Sequence, residues 1–215
     1  MNKSNLAMAA NMGLFDNPFH RLPVCLCLDI SSSMSSNDKI DQLNKGMALF
    51  YKSIGEDEDT TNVVEIAVVT FGEFPPVAKC VRDFSRVDIQ QTPPVLNASG
   101  YTPLGEGVNL ALDLIEKRKD CFRKAGISCF RPWLIIMSDG NPEGHSPAEL
   151  ARAQQRVAKA TANKKIITLT ISIGNGDNPE LSKMGGNALL HLKEESISDF
   201  FMRLYQSISD SLIGE

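Results

Sequence analysis

Three short stretches carry oxygen-bearing side chains in positions where they could do chemistry. Residues 24–36 read VCLCLDISSSMSS, an apolar run that meets Asp29 and then a row of hydroxyls including Ser31 and Ser33. Residues 98–107 read ASGYTPLGEG and carry Thr102, and the stretch IIMSDGNP carries Asp139. Two carboxylates and several hydroxyls, with no Cys or His pair nearby, describe a site for a hard cation. Magnesium is the natural candidate, an octahedral ion with oxygens at about 2.0–2.1 Å that usually retains waters. Mn2+ and Ca2+ are the alternatives such oxygens would accept.

These residues need a scaffold that brings them together. Short apolar runs at about 23–30, 63–71, 76–83, 133–138, 165–173 and 188–192, rich in Val, Ile, Leu or Phe, predict six strands. Ile40, Leu43, Met47, Phe50 and Ile54 recur at steps of three and four, as on one stripe of a helix. The acidic stretch GEDEDTTN at 55–62 would oppose the dipole at that helix's end and reads as a solvated loop. A second helix is expected from Pro103 at its first position, a third from Ser146 with Glu149 completing a capping box, and a last one after SISD at 196–199. The dense basic run EKRKD at 116–120 reads as the solvated end of the second helix.

Helices alternate with strands except across GEFP at 72–75, a turn too short for a parallel crossover. The expected fold is therefore a doubly wound α/β domain, with a mostly parallel six-stranded sheet, one antiparallel edge strand and helices on both faces. Ligands of such sheets bind beyond the carboxyl ends of the strands. Asp29 and Asp139 are both expected there, with Thr102 delivered just before a helix.

The motif DISSS, followed in order by Thr102 and Asp139, resembles the D-x-S-x-S site of von Willebrand factor A (vWA) domains. Within that family, RLPVCLCLDISSSM, SGYTPLGEG and IIMSDGNP look most like the bacterial tellurium-resistance-associated proteins of the TerY type. The similarity runs from about Arg21 to Leu212, which leaves residues 1–20 as an N-terminal extension and 21–213 as a single vWA domain. The resemblance implies a metal-ion-dependent adhesion site (MIDAS). Ser31 and Ser33 would bind the ion directly, Thr102 directly or through water, and Asp29 and Asp139 largely through water. It also implies a non-catalytic interaction module whose ion grips a Glu or Asp of a partner protein, such as a protein phosphatase or kinase in a stress-response or tellurium-resistance system. The family often has glycine where this chain has Ser32, an exchange costing about 1–2 kcal/mol if the position needs a left-handed backbone.

Composition narrows the remaining classes. A net charge of −4 gives no reason to expect nucleic acid, and no stretch reaches the 18 or more apolar residues that would imply a membrane span. The N-terminus imitates a weak signal peptide, but Asn5 and Asn11 interrupt it. Five cysteines, an odd set with no C-x-x-C spacing, fit reduced thiols and a cytoplasmic location. His20, His145 and His191 share no ligand spacing.

Blander readings are available for each site residue. The serines could form a turn and helix cap, Asp139 could cap the DGNP turn, and Thr102 could cap its helix. The rival function is a magnesium-dependent phosphohydrolase using Asp29. It lacks the second acid of a D-x-D motif, because position 31 is serine. A third reading is a switch in which the last helix, with Ile197, Phe200, Leu204 and Ile208, shifts when the site is filled.

Overall fold

The computed structural model describes residues 19–174, 178–184, 189–193 and 196–213. The expected N-terminal extension lies almost wholly outside these residues. Strands β1 (Leu22–Ile30), β2 (Val64–Gly72), β3 (Val77–Arg86), β4 (Trp133–Ser138), β5 (Ile167–Ile173) and β6 (Leu189–Leu192) form one sheet in the order β3-β2-β1-β4-β5-β6. Only the β2–β3 pair is antiparallel, so the single reversed strand lies at an edge. Helices α1 (Lys39–Glu56), α2 (Glu58–Val63), α3 (Val87–Gln90), α4 (Leu104–Ala125), α5 (Pro147–Ala162), α6 (Pro179–Ser182) and α7 (Ile197–Ile213) connect and cover it.

Because side chains alternate across a strand, the central strands build two cores at once. Leu22, Val24, Leu26 and Leu28 of β1 join Ile135 and Met137 of β4 under α1 and α7. On the other face Cys25 and Cys27 join Leu134 and Ile136 under α4 and α5. The same alternation puts Asp29 in line with Cys25 and Cys27, and Ser138 in line with Leu134 and Ile136. The pairing Leu28↔Met137 sets Asp29 and Ser138 one step further along, at the sheet's carboxyl edge.

Four local expectations need correction. The acidic stretch 55–62 is not a loop throughout: α1 ends at Glu56, Asp57 caps Asp59 N–H at 3.0 Å, and α2 begins at Glu58. Restarting the helix turns the same acids from an unfavourable C-terminal run into a favourable N-terminal one. The run EKRKD lies inside α4, which continues to Ala125, and Arg118 is buried in a bidentate pair with Glu65 at 2.6 and 2.8 Å. Pro103 occupies the N-cap position of α4 rather than its first turn. At α5, Ser146 Oγ accepts from Glu149 N–H at 3.4 Å as expected, but Glu149 does not reach back. The Ser146 N–H goes instead to Glu106 of α4 at 2.8 Å, while the Glu149 carboxylate takes the Asn109 amide.

Candidate metal site at the sheet's carboxyl edge

Four of the five sequence-predicted residues form one hydrogen-bonded chain. Asp29 is fully buried; its Oδ1 accepts from the Ser31 N–H at 2.7 Å and its Oδ2 from the Ser138 hydroxyl at 2.5 Å. Ser31 Oγ and Ser33 Oγ are 3.0 Å apart, and Ser33 donates to Asp139 Oδ1 at 2.6 Å. Lys39, the first residue of α1, donates from Nζ to Asp139 Oδ2 at 2.7 Å. The chain thus runs from the end of β1 to the end of β4 and closes on α1.

The fifth residue, Thr102, is placed by backbone bonds. Ser99 N–H donates to Ile30 O at 2.6 Å and Ser32 N–H to Gly100 O at 2.9 Å, which fastens the 98–102 loop to the end of β1. Gly100 has φ +77°, and a Cβ there would lie 1.8 Å from the Glu73 carbonyl oxygen, so only glycine permits this approach. Thr102 itself pairs antiparallel with Glu143, in the loop that follows Asp139. All three predicted loops therefore meet at one edge.

The blander roles fare poorly against this geometry. The 3-10 segment at 32–38 and helices α1 and α4 all begin without a side-chain cap. The Ser31 and Ser33 hydroxyls are spent on each other and on Asp139 rather than on free N–H groups. Both Asp139 oxygens are likewise taken by Ser33 and Lys39, not by the following turn. Ser32 has no left-handed backbone; that strain falls further on, at Asn37 (φ 54°) and Asp38 (φ 55°).

The donor set fits a hard divalent ion. Adjacent oxygens of an octahedral shell with bonds of about 2.1 Å lie about 3.0 Å apart; the Ser31 and Ser33 oxygens have that separation. Among the described residues no three His, Cys, Asp or Glu side chains are placed to hold a metal ion together, so any ligation here would lean on hydroxyls and water. Burial pushes the Asp29 carboxyl up to about 6, an effect that hydrogen bonds from Ser138 and Ser31 reduce and neighbouring Asp139 reinforces. A nearby cation would offset that cost.

Two site residues escaped the sequence reading. Ser138 could have been found by strand parity, since it faces the same side as Asp29. Lys39 carried a weaker signal: a cation at a helix start opposes the dipole and calls for a local partner.

An α/β sheet with a hydroxyl-lined site at its carboxyl edge defines a class of domain, and the sequence places the chain within it. Residues 24–205 match the von Willebrand factor type A domain, and the chain belongs to that family. Among solved structures it is similar to a von Willebrand factor type A protein from Catenulispora acidiphila (21% identity, TM-score 0.63), over 87% of this chain and 42% of that one. It is similar to the vWF domain of the type V pilus tip protein Mfa5 from Porphyromonas gingivalis (13%, TM-score 0.67), over 90% of this chain and 97% of that one. A third is proximal thread matrix protein 1 of the mussel byssus, described with a zinc-occupied MIDAS motif (17%, TM-score 0.60), over 95% of this chain and 52% of that one. The chain thus spans less than half the length of the Catenulispora protein. No curated protein sequence matches it significantly. Among the described residues, no helix is long and apolar enough to cross a membrane.

Proposed function

We propose that this domain is a divalent-cation-dependent protein interaction module with a MIDAS formed by Asp29, Ser31, Ser33, Thr102 and Asp139. Ser31 and Ser33 would hold the ion directly, Thr102 directly or through water, and Asp29 and Asp139 through water. When bound, the ion supplies an incompletely neutralised positive corner that attracts a carboxylate. The observation that carries this reading is the hydrogen-bonded chain linking Asp29, Ser31, Ser33 and Asp139 across two strand ends. The zinc-occupied motif of the mussel protein supports metal binding on this fold.

Mg2+ is the first candidate, with Mn2+ or Ca2+ as substitutes. The ligand is a Glu or Asp on a protein partner. Beside Thr102, Phe74 (76% exposed) and Tyr101 (39%) stand 5.9 Å apart, ring to ring, and would pack against residues flanking that acid. By its resemblance to the TerY type, the domain would serve a bacterial stress-response or tellurium-resistance phosphosignalling system in the cytoplasm, with a protein phosphatase or kinase as partner. Residues 21–213 would form the interacting unit. Both Asp29 oxygens are engaged by internal donors, which favours this non-catalytic role over a phosphohydrolase with Asp29 as nucleophile.

Isothermal titration tests the reading. Wild type should bind Mg2+ and Mn2+ at one site, and Ser33→Ala should weaken that binding by about tenfold or more without unfolding the domain. Equal affinity in wild type and Ser33→Ala, or no uptake by wild type at millimolar ion, would sink it.

A further inference from the structure

The Lys39–Asp139 ion pair brings a cation into the proposed metal site. Asp139 has a fully buried side chain, and Lys39 is only 11% exposed. An ion pair this enclosed is screened little by water, so its charge acts strongly on anything bound beside it. Its position also runs against local preference. Lys39 sits at the first position of α1, where the dipole disfavours a cation. It follows two non-glycine residues in the left-handed region, Asn37 and Asp38, and a cap position without a side-chain hydrogen bond. A cation at the helix start and an N-cap Asp38 that makes no cap bond stand side by side, and the outcome is an ammonium 2.7 Å from Asp139 Oδ2. Local conflicts of this kind concentrate where function imposes them.

We infer that Lys39 is a built-in counter-cation of the site: it neutralises Asp139 when no divalent ion is bound and holds the affinity for that ion low. The inference rests on the proposed metal reading. A buried carboxylate without an ion needs a partner, and Ser33 and Lys39 supply one to each Asp139 oxygen. An arriving ion meets a carboxylate already paired with a positive charge, and it is repelled by the ammonium. Occupancy then depends on divalent concentration, where two free carboxylates would hold the ion tightly.

The test is Mn2+ affinity, measured by isothermal titration and by electron paramagnetic resonance of free Mn2+, in wild type, Lys39→Met, Lys39→Gln and Lys39→Arg. Lys39→Gln keeps an N–H for Asp139 Oδ2 without the charge, which guards against misfolding of the methionine variant. Both neutral variants should bind Mn2+ at least about tenfold more tightly than wild type, and Lys39→Arg should stay within about threefold of it. In chelator the neutral variants should melt below wild type, and Mn2+ should raise their melting temperature by more than it raises that of wild type. If wild type binds Mn2+ and the neutral variants bind no more tightly, or if Lys39→Arg gains as much as they do, the inference fails while the metal reading stands. If none of the proteins takes up Mn2+ at millimolar concentration, the metal reading itself fails. Uptake by the neutral variants alone supports both.

Discussion

Asp29 shows how one side chain serves both the strand and the site. Its place on β1 forces it into a fully buried position, and burial raises its carboxyl from 3.8 to about 6 despite hydrogen bonds from the Ser31 N–H and the Ser138 hydroxyl. The folded, metal-free protein therefore binds this proton more tightly than the unfolded chain does. That contribution to stability is fully present below pH 4 and is lost as pH rises through about 6, an effect on the order of 3 kcal/mol. Asp29→Asn removes the penalty, because Ser138 Oγ can accept from the new amide and donate to Gly140 O, 3.2 Å away. In chelator at pH 8, the Asn variant should resist urea better than wild type, with the advantage gone by pH 4. With Mg2+ present the order should reverse, since the variant has lost a charge the ion needs. A less stable variant in chelator at pH 8 would mean the carboxylate is ionised at no cost.

At the scale of elements, the far end of the sheet is held by a different device. Glu65, at the start of β2, receives Arg118 of α4 in a bidentate pair, with Arg21 at 3.5 Å, and all three residues are buried. Arg118 also lies 4.9 Å over the Phe122 ring. Removing one partner strands a buried charge, so Arg118→Ala should destabilise the domain by about 3–5 kcal/mol in urea denaturation. A loss below 1 kcal/mol would mean that Arg21 alone satisfies Glu65. This pair is remote from the metal-site edge, so affinity for Mg2+ should be unchanged in the folded variant. The basic run EKRKD did not reveal the pair, because its partner lies 53 residues away at 65 and only the packing of α4 on β2 brings them together.

Across the whole molecule, α1 begins in the site, at Lys39, and packs along α7. They pack tightly at Gly46, where an added Cβ would lie 2.5 Å from the Phe201 ring. Phe50 packs against the same ring at 5.8 Å, and Tyr205 of α7 donates to Asp57 at 3.0 Å. A shift of α1 on ion binding would thus be passed to α7 through tightly packed side chains. Hydrogen exchange along α7 should change on adding Mn2+ to wild type, and unchanged exchange would argue against coupling. Gly46→Ala should overpack the contact and cost about 1–3 kcal/mol in thermal unfolding. An unaltered melting temperature would show that the two helices have slack between them.

The sequence alone determined the strands, the antiparallel edge and the three loops, because strand periodicity, the short GEFP turn and the DISSS motif are local signals. It also named Asp29, Ser31, Ser33 and Asp139, whose hydrogen-bonded chain fits the strand ends expected for them. Only the tertiary structure decided which groups answer those residues. Ser138 against Asp29, Lys39 against Asp139, Arg118 against Glu65 and Glu106 against Ser146 each join segments about 40 or more residues apart. Such pairings depend on strand register and helix placement, and a single stretch of chain carries no record of what will be folded against it.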